Sequence, residues 1–595
     1  MNQYLFLFTI GPVQSFIAQA RKTQDLYAGS YVLSYLINKT MEECKRIAGS
    51  CEFIYPDKES HYKPNRFIAK IESDDIEKSS KELKKYVRKE FQQITTKVLS
   101  KLDFNAPNGF ESQIKTHLQV NWVALPLEGN TYTDTYKELE SYFGAIKNVR
   151  NFQQLEERGR KCSLCGERNV LFYRLTDEER KSGGLKRRKD GLLRKLFIKE
   201  DNVIFFEPKE ESDNLKMQKG EGLCAVCFTK RFADKYFENG YVRNYPSIAK
   251  VALMYSLNKL DNDSLDEYKK IFGNNFDAEL FYDDNLTERY FEKNNYPRKK
   301  LEEAKVRLKK IHEIVQENEL KFSKYYAILM FDGDSMGRWL TGKFLKDKTQ
   351  LMEFHKSLTG NLGSFAKSVE DIIKEPKGKL VYAGGDDVLA FVNLNHLLPV
   401  MRELREKFPK FENFGFEIID NKKSSSSVGI AIAHYKTPLL EVLKWARKME
   451  KEAKSIDDQK DAFAIAVLKR SGEIHKAVFK WQYGTSSVIE ILENLIKSLK
   501  KDFSNTFIKN LGVEFRRLMD EKGKYENNLL IKTEIKRLIE RSCMMTRTQD
   551  KTKKEFLQRK KQAIDDLTEL YTNSKSLDNF LSSLDIADFI ERGGS

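Results

Sequence analysis

Residues 380–392 read LVYAGGDDVLAFV, two short apolar runs on either side of Gly384-Gly385-Asp386-Asp387. Two apolar runs joined by a Gly-containing tetrapeptide are typical of two antiparallel strands connected by a tight turn. Gly384 and Gly385 permit positive φ and allow a phosphate to approach the backbone closely. Gly-Gly-Asp-Asp alone is also a good structural turn, so its meaning depends on the residues around it.

The flanking sequence predicts a β-α-β-β-α-β unit with this hairpin at its centre. A strand is expected over 325–331 and a helix over 351–373, where apolar residues recur at spacings of three and four. A strand over 428–433 and a helix over 439–453 complete the unit. In a ferredoxin-like sheet the first strand and the central hairpin are neighbours, so their ends meet at one edge.

Four aspartates are expected at that edge. Asp332 and Asp334 follow the first strand, and Asp386 and Asp387 occupy the hairpin tip. Hard cations such as Mg²⁺ or Mn²⁺ prefer oxygen ligands, and two such ions can activate a hydroxyl and steady a triphosphate. We therefore predict a two-metal nucleotidyltransferase site that acts on a nucleoside triphosphate. All four aspartates are candidate metal ligands, and Asp332, Asp386 and Asp387 are the predicted catalytic carboxylates.

Other residues are candidate nucleotide contacts together with Gly384 and Gly385. Ser427, at the start of the next strand, could bind a phosphate or a ribose, and Lys454, at the end of the following helix, could contact the triphosphate. Gln14 and Ser15 follow a Gly-Pro turn at a predicted helix start, which suits a phosphate or an adenosine acceptor. Packing between domains explains Gln14 and Ser15 about as well.

The N-terminal part of the chain repeats the same order of elements. The predicted elements are a strand over 4–9, a helix over 25–47, strands over 52–55 and 66–71, a helix over 76–102 and a strand over 120–125. Two related units could pair face to face. Residues 245–320 and the chain from about 485 onward are predicted to be mainly helical.

Cys162, Cys165, Cys224 and Cys227 form two Cys-x-x-Cys pairs. Together they predict tetrahedral sulfur ligation of a structural Zn²⁺, although two unrelated thiol pairs are the simpler alternative. The basic segment 180–199 between them could contact RNA or another subunit, or could be a solvated loop. The remaining cysteines are interpreted as ordinary buried or helical residues, namely Cys44, Cys51 and Cys543.

The composition fits a soluble chain with several domains. The 104 Lys and Arg exceed the 88 Asp and Glu, giving a net charge of +16 that favours a polyanionic partner or simply a Lys-rich surface. No apolar run approaches the roughly 20 residues that cross a bilayer. We expect a cytoplasmic location without membrane association.

Three segments resemble the large subunit of type III CRISPR effector complexes, most closely the Cmr-type (subtype III-B) version. They are residues 325–337 (YYAILMFDGDSMG), residues 427–439 (SVGIAIAHYKTPL) and residues 11–30 (GPVQSFIAQARKTQDLYAGS). With Gly384–Asp387, the resemblance covers most of the chain to about residue 475. The C-terminal helices match by position and character only.

The resemblance implies an α+β protein with two ferredoxin-like palm domains, a zinc-binding helical domain between them and a helical C-terminal domain. The expected bounds are 1–145, 146–320, 321–480 and 481–595. It also implies assembly with guide RNA, target RNA and other Cmr-type subunits. Target binding would switch on conversion of ATP into a cyclic oligoadenylate by 3′–5′ transfer.

Many members of this family begin with a histidine–aspartate nuclease domain. None of the seven histidines here is followed by Asp, and the first predicted strand begins at residue 4. We expect no DNase activity unless such a domain was removed. Some Cmr-type relatives without the nuclease join AMP to S-adenosylmethionine, which is the alternative reaction here because both reactions use the same carboxylates.

Two other functions are compatible with parts of the sequence. A scaffold subunit with a silent palm would only support the two RNAs, but degenerate palms usually lose an aspartate. A stand-alone nucleotide cyclase would not need the cysteine pairs, the basic charge or the Cmr-like N-terminus.

Overall fold

The structure is a computed structural model of the chain. It describes residues 2–129, 131–149, 159–181, 203–208, 216–237, 245–294, 296–501, 507–517, 528–542 and 553–593. The predicted basic segment 180–199 lies outside these residues from position 182 onward, as does Cys543. Among the described helices, none combines the length and the apolar character needed to cross a membrane.

The first unit contains the elements predicted for the N-terminal part of the chain. Its elements are β1 (Asn2–Gly11), α1 (Gln14–Ala18), α2 (Thr23–Ile47), β2 (Ser50–Tyr55), β3 (Arg66–Ser73), α3 (Ile76–Lys101), α4 (Phe110–Lys115), β4 (Gln119–Pro126) and α5 (Tyr132–Asn148). The sheet has the strand order β2-β3-β1-β4, with β1 antiparallel to both neighbours. This order is that of a ferredoxin-like unit.

The middle segment combines very short strands with helices. Its elements are β5 (Phe172–Tyr173), α6 (Asp177–Lys181), β6 (Ile204–Phe205), β7 (Gly222–Leu223), α7 (Ala225–Arg231), α8 (Ile248–Leu257), α9 (Asn262–Lys270), α10 (Glu288–Lys293) and α11 (Leu301–Glu317). The helices from α9 onward surround a separate apolar cluster that includes Tyr268, Phe281 and Leu308. The helical prediction for 245–320 is therefore confirmed in the described residues.

The second unit carries the Gly-Gly-Asp-Asp hairpin. Its elements are β8 (Tyr325–Gly333), α12 (Met336–Leu340), α13 (Leu351–Ile372), β9 (Gly378–Ala383), β10 (Val388–Val392), α14 (Leu397–Lys407), β11 (Ser426–His434), α15 (Leu439–Lys454), β12 (Ala462–Leu468) and β13 (Ile474–Lys480). The strand order is β13-β12-β11-β8-β10-β9, so β8 lies between the hairpin and β11. Eight of the nine β8 residues are buried, all except Asp332, as expected for a central strand.

The second sheet is larger than the sequence interpretation predicted. The four predicted strands are present, but β12 and β13 extend the sheet beyond β11. Helix α15 connects β11 to β12 as a crossover between parallel strands, and the run AFAIAVL of β12 is fully buried. The prediction ended the sheet where the β-α-β-β-α-β pattern was complete, so it did not include β12 and β13.

The chain after β13 is helical apart from a short hairpin. Its elements are β14 (Gln482–Tyr483), β15 (Ser486–Ser487), α16 (Val488–Lys501), α17 (Phe507–Arg517), α18 (Asn528–Ser542), α19 (Lys553–Asn573) and α20 (Leu577–Glu591). Helix α20 packs on β13, where the Asn579 amide pairs with both backbone groups of Val478 at 2.8 and 3.1 Å. The α+β class is confirmed.

The first and second units contact each other beside the hairpin. The hydroxyl of Thr359 on α13 donates to the Ile54 carbonyl at the end of β2, at 2.8 Å. Gly363, one turn further on, faces Asp57 so closely that a Cβ atom there would lie 2.2 Å from a carboxylate oxygen. Helix α13 is therefore seated directly against the β2 side of the first unit.

Candidate active site

Asp332 and the Asp386-Asp387 pair come together because β8 and β10 are adjacent. Phe331 pairs with Val388 across the two strands, and the Gly333 N–H donates to the Asp386 carbonyl at 3.1 Å. Asp332 is half-buried at the end of its strand, Asp386 is half-buried and Asp387 is exposed. The sequence prediction that the two strand ends share one edge is confirmed for these three residues.

Glycines make the close approach at this edge possible. Gly385 adopts φ +101°, a conformation that favours glycine, and the Gly384 N–H donates to the Asp387 carbonyl at 2.9 Å. A Cβ atom on Gly384 would overlap the Tyr382 hydroxyl. A Cβ atom on Gly333 would lie 3.0 Å from the Cβ atom of Asp386. The turn therefore needs glycine for both conformation and space.

Helix α15 brings a lysine and a second acidic group to the same edge. The Lys454 ammonium forms ion pairs with Asp332 and, at 2.7 Å, with Glu450. The helix can lie this close to β11 because position 429 is glycine: a Cβ atom there would lie 2.1 Å from the Glu450 nitrogen. Sequence reasoning found Lys454 but missed Glu450, although its position four residues earlier places it on the same helix face.

The electrostatics of the cluster are those of crowded carboxylates. Loss of hydration and the neighbouring Asp332 charge raise the pKa of Asp386 to about 7. Loss of hydration and the charges of Asp332 and Asp386 raise the pKa of Asp387 well above its ordinary value, although its side chain is partly exposed to solvent. Burial raises the pKa of Asp332 in spite of the Lys454 ammonium. Although burial disfavours its charge, the carboxylates of Asp332 and Glu450 raise the pKa of Lys454.

The carboxylate oxygens at this edge are suitable ligands for divalent cations. Asp332 and Glu450 pair with the Lys454 ammonium, and the raised pKa values of Asp332, Asp386 and Asp387 indicate that added positive charge would be favourable. Carboxylate oxygens are also the ligands that Mg²⁺ and Mn²⁺ prefer. Asp332, Asp386 and Asp387 are therefore the residues suited to hold such ions.

The structure places Asp334 and Ser427 elsewhere than predicted. The Asp334 carboxylate is buried, and its oxygens accept hydrogen bonds from the hydroxyls of Ser427 at 2.8 Å and Ser425 at 2.9 Å, and from the Asp461 N–H at 3.1 Å. Both oxygens are therefore already engaged. Ser427 is fully buried as the partner of Asp334. The predictions of a metal ligand at Asp334 and a nucleotide contact at Ser427 are corrected to a buried link between β8 and β11.

Asp332 and Asp334 differ because the strand ends between them. Residues two apart share a face only while the chain stays extended. After Gly333 the chain turns, and Ser335 adopts a left-handed conformation at φ +58°. This turn separates the environments of the two aspartates.

Residues of the first unit approach the carboxylates, but they are not the predicted ones. Tyr55 and Arg66 are close enough for their electrostatic interactions with Asp386 to affect pKa values. Arg66 is held by Glu140 of α5 at 3.0 Å. Gln14 and Ser15 are exposed on α1. No local sequence pattern indicates Tyr55 or Arg66, because only the packing of the two units brings these residues near the carboxylates.

The four cysteines of the two Cys-x-x-Cys pairs form one cluster. Their Sγ atoms all lie within 4.8 Å of one another, and the Leu164 and Cys227 N–H groups each donate to a cysteine sulfur at 3.4 Å. The donor set suits a tetrahedral thiolate site for Zn²⁺. Cys224 lies at the N-terminal end of α7, and Cys227 lies within that helix.

The cysteine cluster is anchored to the first unit through α7. Lys230 is buried and donates to the carbonyls of Phe16 at 2.6 Å and Gln19 at 2.5 Å, at the end of α1. Arg231 is fully buried and pairs with Asp25 at the start of α2 and with Glu221. The helix α7, which carries Cys227 of the cluster, therefore packs together with the Gln14–Ala18 helix.

Comparison with known families gives two matches. The family "Cas10/Cmr2, second palm domain" matches residues 325–464, and "CRISPR-associated protein Cmr2, N-terminal" matches residues 5–84. The first contains Asp332, the Gly384–Asp387 turn and Lys454. The second contains β1 to β3 and the helix α2.

Two proteins with curated descriptions are similar over long stretches. The CRISPR system Cmr subunit Cmr2 of Pyrococcus furiosus is 27% identical over 575 residues, which cover 80% of this chain and 63% of that protein. The CRISPR system CMR subunit Cmr2 of Saccharolobus solfataricus is 26% identical over 262 residues, which cover 41% of this chain and 23% of that protein. The chain therefore spans less than two thirds of these relatives.

Solved structures show the same fold. A chain of the type III-B Cmr-beta complex bound to cognate target RNA matches with a TM-score of 0.64 at 14% identity, covering 100% of this chain and 83% of that one. The apo state of Cmr-beta gives a TM-score of 0.63 at 15% identity, covering 100% and 82%. At this level of identity the likeness concerns the fold.

The fold and the site together define an α+β protein with a palm domain and a carboxylate cluster suited to divalent cations. The two family matches and the long similarity to curated relatives make the chain similar to the Cmr2 subunits of CRISPR systems.

Proposed function

We propose that the chain is the nucleotidyltransferase subunit of a type III-B effector, converting ATP into a nucleotide second messenger after target RNA binds. The observation that carries this proposal is the convergence of Asp332, Asp386 and Asp387 at one sheet edge, with Lys454 beside them. The family match to a Cas10/Cmr2 palm over the same residues supports it.

Each residue of the cluster has a role in this proposal. Asp332, Asp386 and Asp387 would hold two Mg²⁺ or Mn²⁺ ions, which would supply activation of the attacking hydroxyl and charge stabilisation of the triphosphate. Gly384 and Gly385 let the phosphates approach the turn. Lys454, held between Asp332 and Glu450, is positioned to offset phosphate charge as well.

The reaction is the transfer of an adenylyl group. An acceptor hydroxyl loses its proton and its oxygen forms a bond to the α-phosphorus of ATP, while the bond to the β-phosphate oxygen breaks and pyrophosphate leaves. When the acceptor is the 3′-hydroxyl of another adenosine nucleotide, repeated transfer and closure give a cyclic oligoadenylate. When the acceptor is S-adenosylmethionine, the product is an AMP conjugate. The two outcomes share the carboxylates and differ in the acceptor.

The proposed partners are guide RNA, target RNA and other Cmr-type subunits. The relatives named for Cmr2 and the target-bound Cmr-beta structure support this assembly. The net charge of +16 favours a polyanionic partner as well. The four-cysteine cluster is proposed to hold a structural Zn²⁺ within the same subunit.

The test is to incubate the assembled complex with Mg²⁺ and labelled ATP, with and without target RNA and S-adenosylmethionine, and to identify the products by mass. We expect a new product only when target RNA is present. A ladder or ring of adenylates formed without S-adenosylmethionine identifies the first acceptor, and a product that requires S-adenosylmethionine identifies the second.

The site assignment is tested in the same assay by the double variant Asp386→Ala, Asp387→Ala. Product should fall by at least ~100-fold, since removing metal ligands removes most of the transition-state stabilisation. The control is Glu302→Ala, Glu303→Ala, which removes two adjacent exposed carboxylates from the first turn of α11. Unchanged output from the aspartate variant would contradict the site, and a complex that binds RNA but makes no product would favour a scaffold.

A further inference from the structure

Two cysteines outside the four-cysteine cluster are in direct contact. Cys44 lies in the last turn of α2 and Cys51 lies in β2, and their Sγ atoms are 3.9 Å apart. The connection between them is short, because α2 ends at Ile47 and β2 begins at Ser50. A disulfide requires the sulfurs to be about 2.05 Å apart, so closure needs an approach of roughly 2 Å.

The two thiols differ in access and in acidity. Cys44 is 1% exposed, whereas Cys51 is half-buried and reachable from solvent. The hydrogen bond with Cys44, with the nearby charges of Lys45 and Lys58, lowers the pKa of Cys51. The same hydrogen bond and deeper burial raise the pKa of Cys44. Cys51 therefore has the properties of an attacking thiolate and Cys44 those of a second, protected thiol.

We propose that Cys44 and Cys51 form a reversible thiol oxidation site that reacts with small disulfides. The Cys51 thiolate attacks one sulfur of a disulfide R–S–S–R, forming a mixed disulfide and releasing one thiolate. Cys44 then loses its proton and attacks the Cys51 sulfur, which releases the second thiolate and leaves a Cys44–Cys51 disulfide. Two protein thiols are oxidised by two electrons, and one small disulfide is reduced to two thiols.

The position of the site gives the reaction a structural consequence. Strand β2 carries Glu52, which pairs with Lys356 of α13 at 2.7 Å, and Ile54, whose carbonyl accepts from Thr359. Drawing Cys51 toward α2 therefore acts on the strand that contacts the second unit. The inference does not rest on the proposed nucleotidyl transfer, since it depends only on the two thiols.

The experiment treats the reduced full-length chain with oxidised glutathione, blocks free thiols and digests with trypsin without reduction. Trypsin cleaves after Lys45 and Arg46, so the bridge appears by mass as peptide 40–45 joined to peptide 47–58. We expect this species as the main oxidised form of these peptides. It should disappear when a thiol reductant is added before digestion.

Two variants separate the roles of the thiols. In Cys44→Ser we expect a glutathione adduct to accumulate on Cys51 at least ~10-fold above its level in the natural chain, because no second thiol resolves it. In Cys51→Ser we expect Cys44 to stay unmodified while the chain is folded, as checked by circular dichroism. A natural chain that carries only a stable adduct on Cys51, or no oxidation at either thiol, would overturn the proposal.

Discussion

At the scale of single residues, the site depends on which carboxylates lie in the open cluster and which are enclosed by other side chains. Asp332 and Asp334 are separated by one residue, yet Asp332 pairs with Lys454 in the open cluster and Asp334 is enclosed by serine hydroxyls. Glycines allow the elements around the site to pack closely, because at Gly333, Gly384 and Gly429 a neighbouring residue occupies the space that a Cβ atom would need. The chemistry is therefore set by small differences in packing around a few carboxylates.

The raised pKa of Asp386 predicts that the free energy of unfolding of the metal-free chain depends on pH. Its pKa of about 7 exceeds the ordinary 3.8, so the stability that this group contributes is present below 3.8 and is lost as pH rises through about 7. The variant Asp386→Asn keeps a neutral side chain. We expect it to gain on the order of 1 kcal/mol over the natural chain between about pH 5 and pH 8, after allowance for solvent screening.

Thermal unfolding of both chains across this pH range measures the difference. Added Mg²⁺ should stabilise the natural chain above about pH 7 more than the variant, since the ion compensates the deprotonated carboxylates. A gap between the two chains that is the same at every pH would show that Asp386 titrates normally.

Gly429→Ala is predicted to disturb the site by displacing helix α15, which carries Lys454. The new Cβ atom would lie 2.1 Å from the Glu450 nitrogen, so α15 must move away from β11 and carry Lys454 with it. We expect a loss of about 1–3 kcal/mol in unfolding free energy and at least ~10-fold in product formation. The control is Gly512→Ala on α17, where a Cβ atom meets nothing within 4 Å. Equal behaviour of the two variants would argue against close packing at Gly429.

At the scale of elements, the sequence predicted the strands and helices that have clear periodicity. Strand β8, the hairpin β9–β10 and helix α13 were expected within three residues of their observed ends, because apolar spacing is strong there. Strands β12 and β13 were missed, since they follow a helix that already completed a familiar pattern. The electrostatic interactions of Tyr55 and Arg66 with the site arise from packing of distant segments, which no local pattern encodes.

Helix α7 is predicted to fix α1 in place through Lys230. The variant Lys230→Met keeps much of the side-chain volume but removes the donors to the Phe16 and Gln19 carbonyls. We expect faster amide hydrogen exchange across residues 14–20, because those carbonyls lose their buried partner. Chelation of the Zn²⁺ proposed for the cysteine cluster should have the same effect.

A matched change at the surface controls for loss of a lysine. Lys250→Met removes an exposed ammonium that pairs only at the surface with Glu375. Its exchange pattern over 14–20 should match that of the natural chain. Unaltered exchange in Lys230→Met would show that α1 is held by its packing on α2 alone.

At the scale of the whole molecule, the site is assembled where the two units meet. The carboxylates belong to the second unit, while Tyr55 and Arg66 come from the first, and α13 touches both. The cysteine cluster ties the middle segment to the first unit. Activity is therefore expected to depend on how the two units are held together as well as on the residues of the hairpin.

Gly363→Leu is predicted to separate the units without unfolding either one. A side chain there would displace Asp57, which already occupies the space above the glycine. We expect at least ~10-fold less product with little change in RNA binding, since misplacing reacting groups by about 1 Å can cost ~100-fold. Gly360→Leu, on the same helix but facing open space, is the control. Full activity in Gly363→Leu would show that the contact between the units is dispensable.

The central claim is that Asp332, Asp386 and Asp387 hold divalent cations for nucleotide chemistry. Its most direct test is a crystal structure of the chain soaked with Mn²⁺ and a non-hydrolysable ATP analogue, with anomalous scattering used to locate the metal. We expect Mn²⁺ within about 2.0–2.4 Å of oxygens from these three aspartates, with Asp334 still bound to Ser425 and Ser427. Mn²⁺ absent from this edge, or coordinated by Asp334 instead, would contradict it.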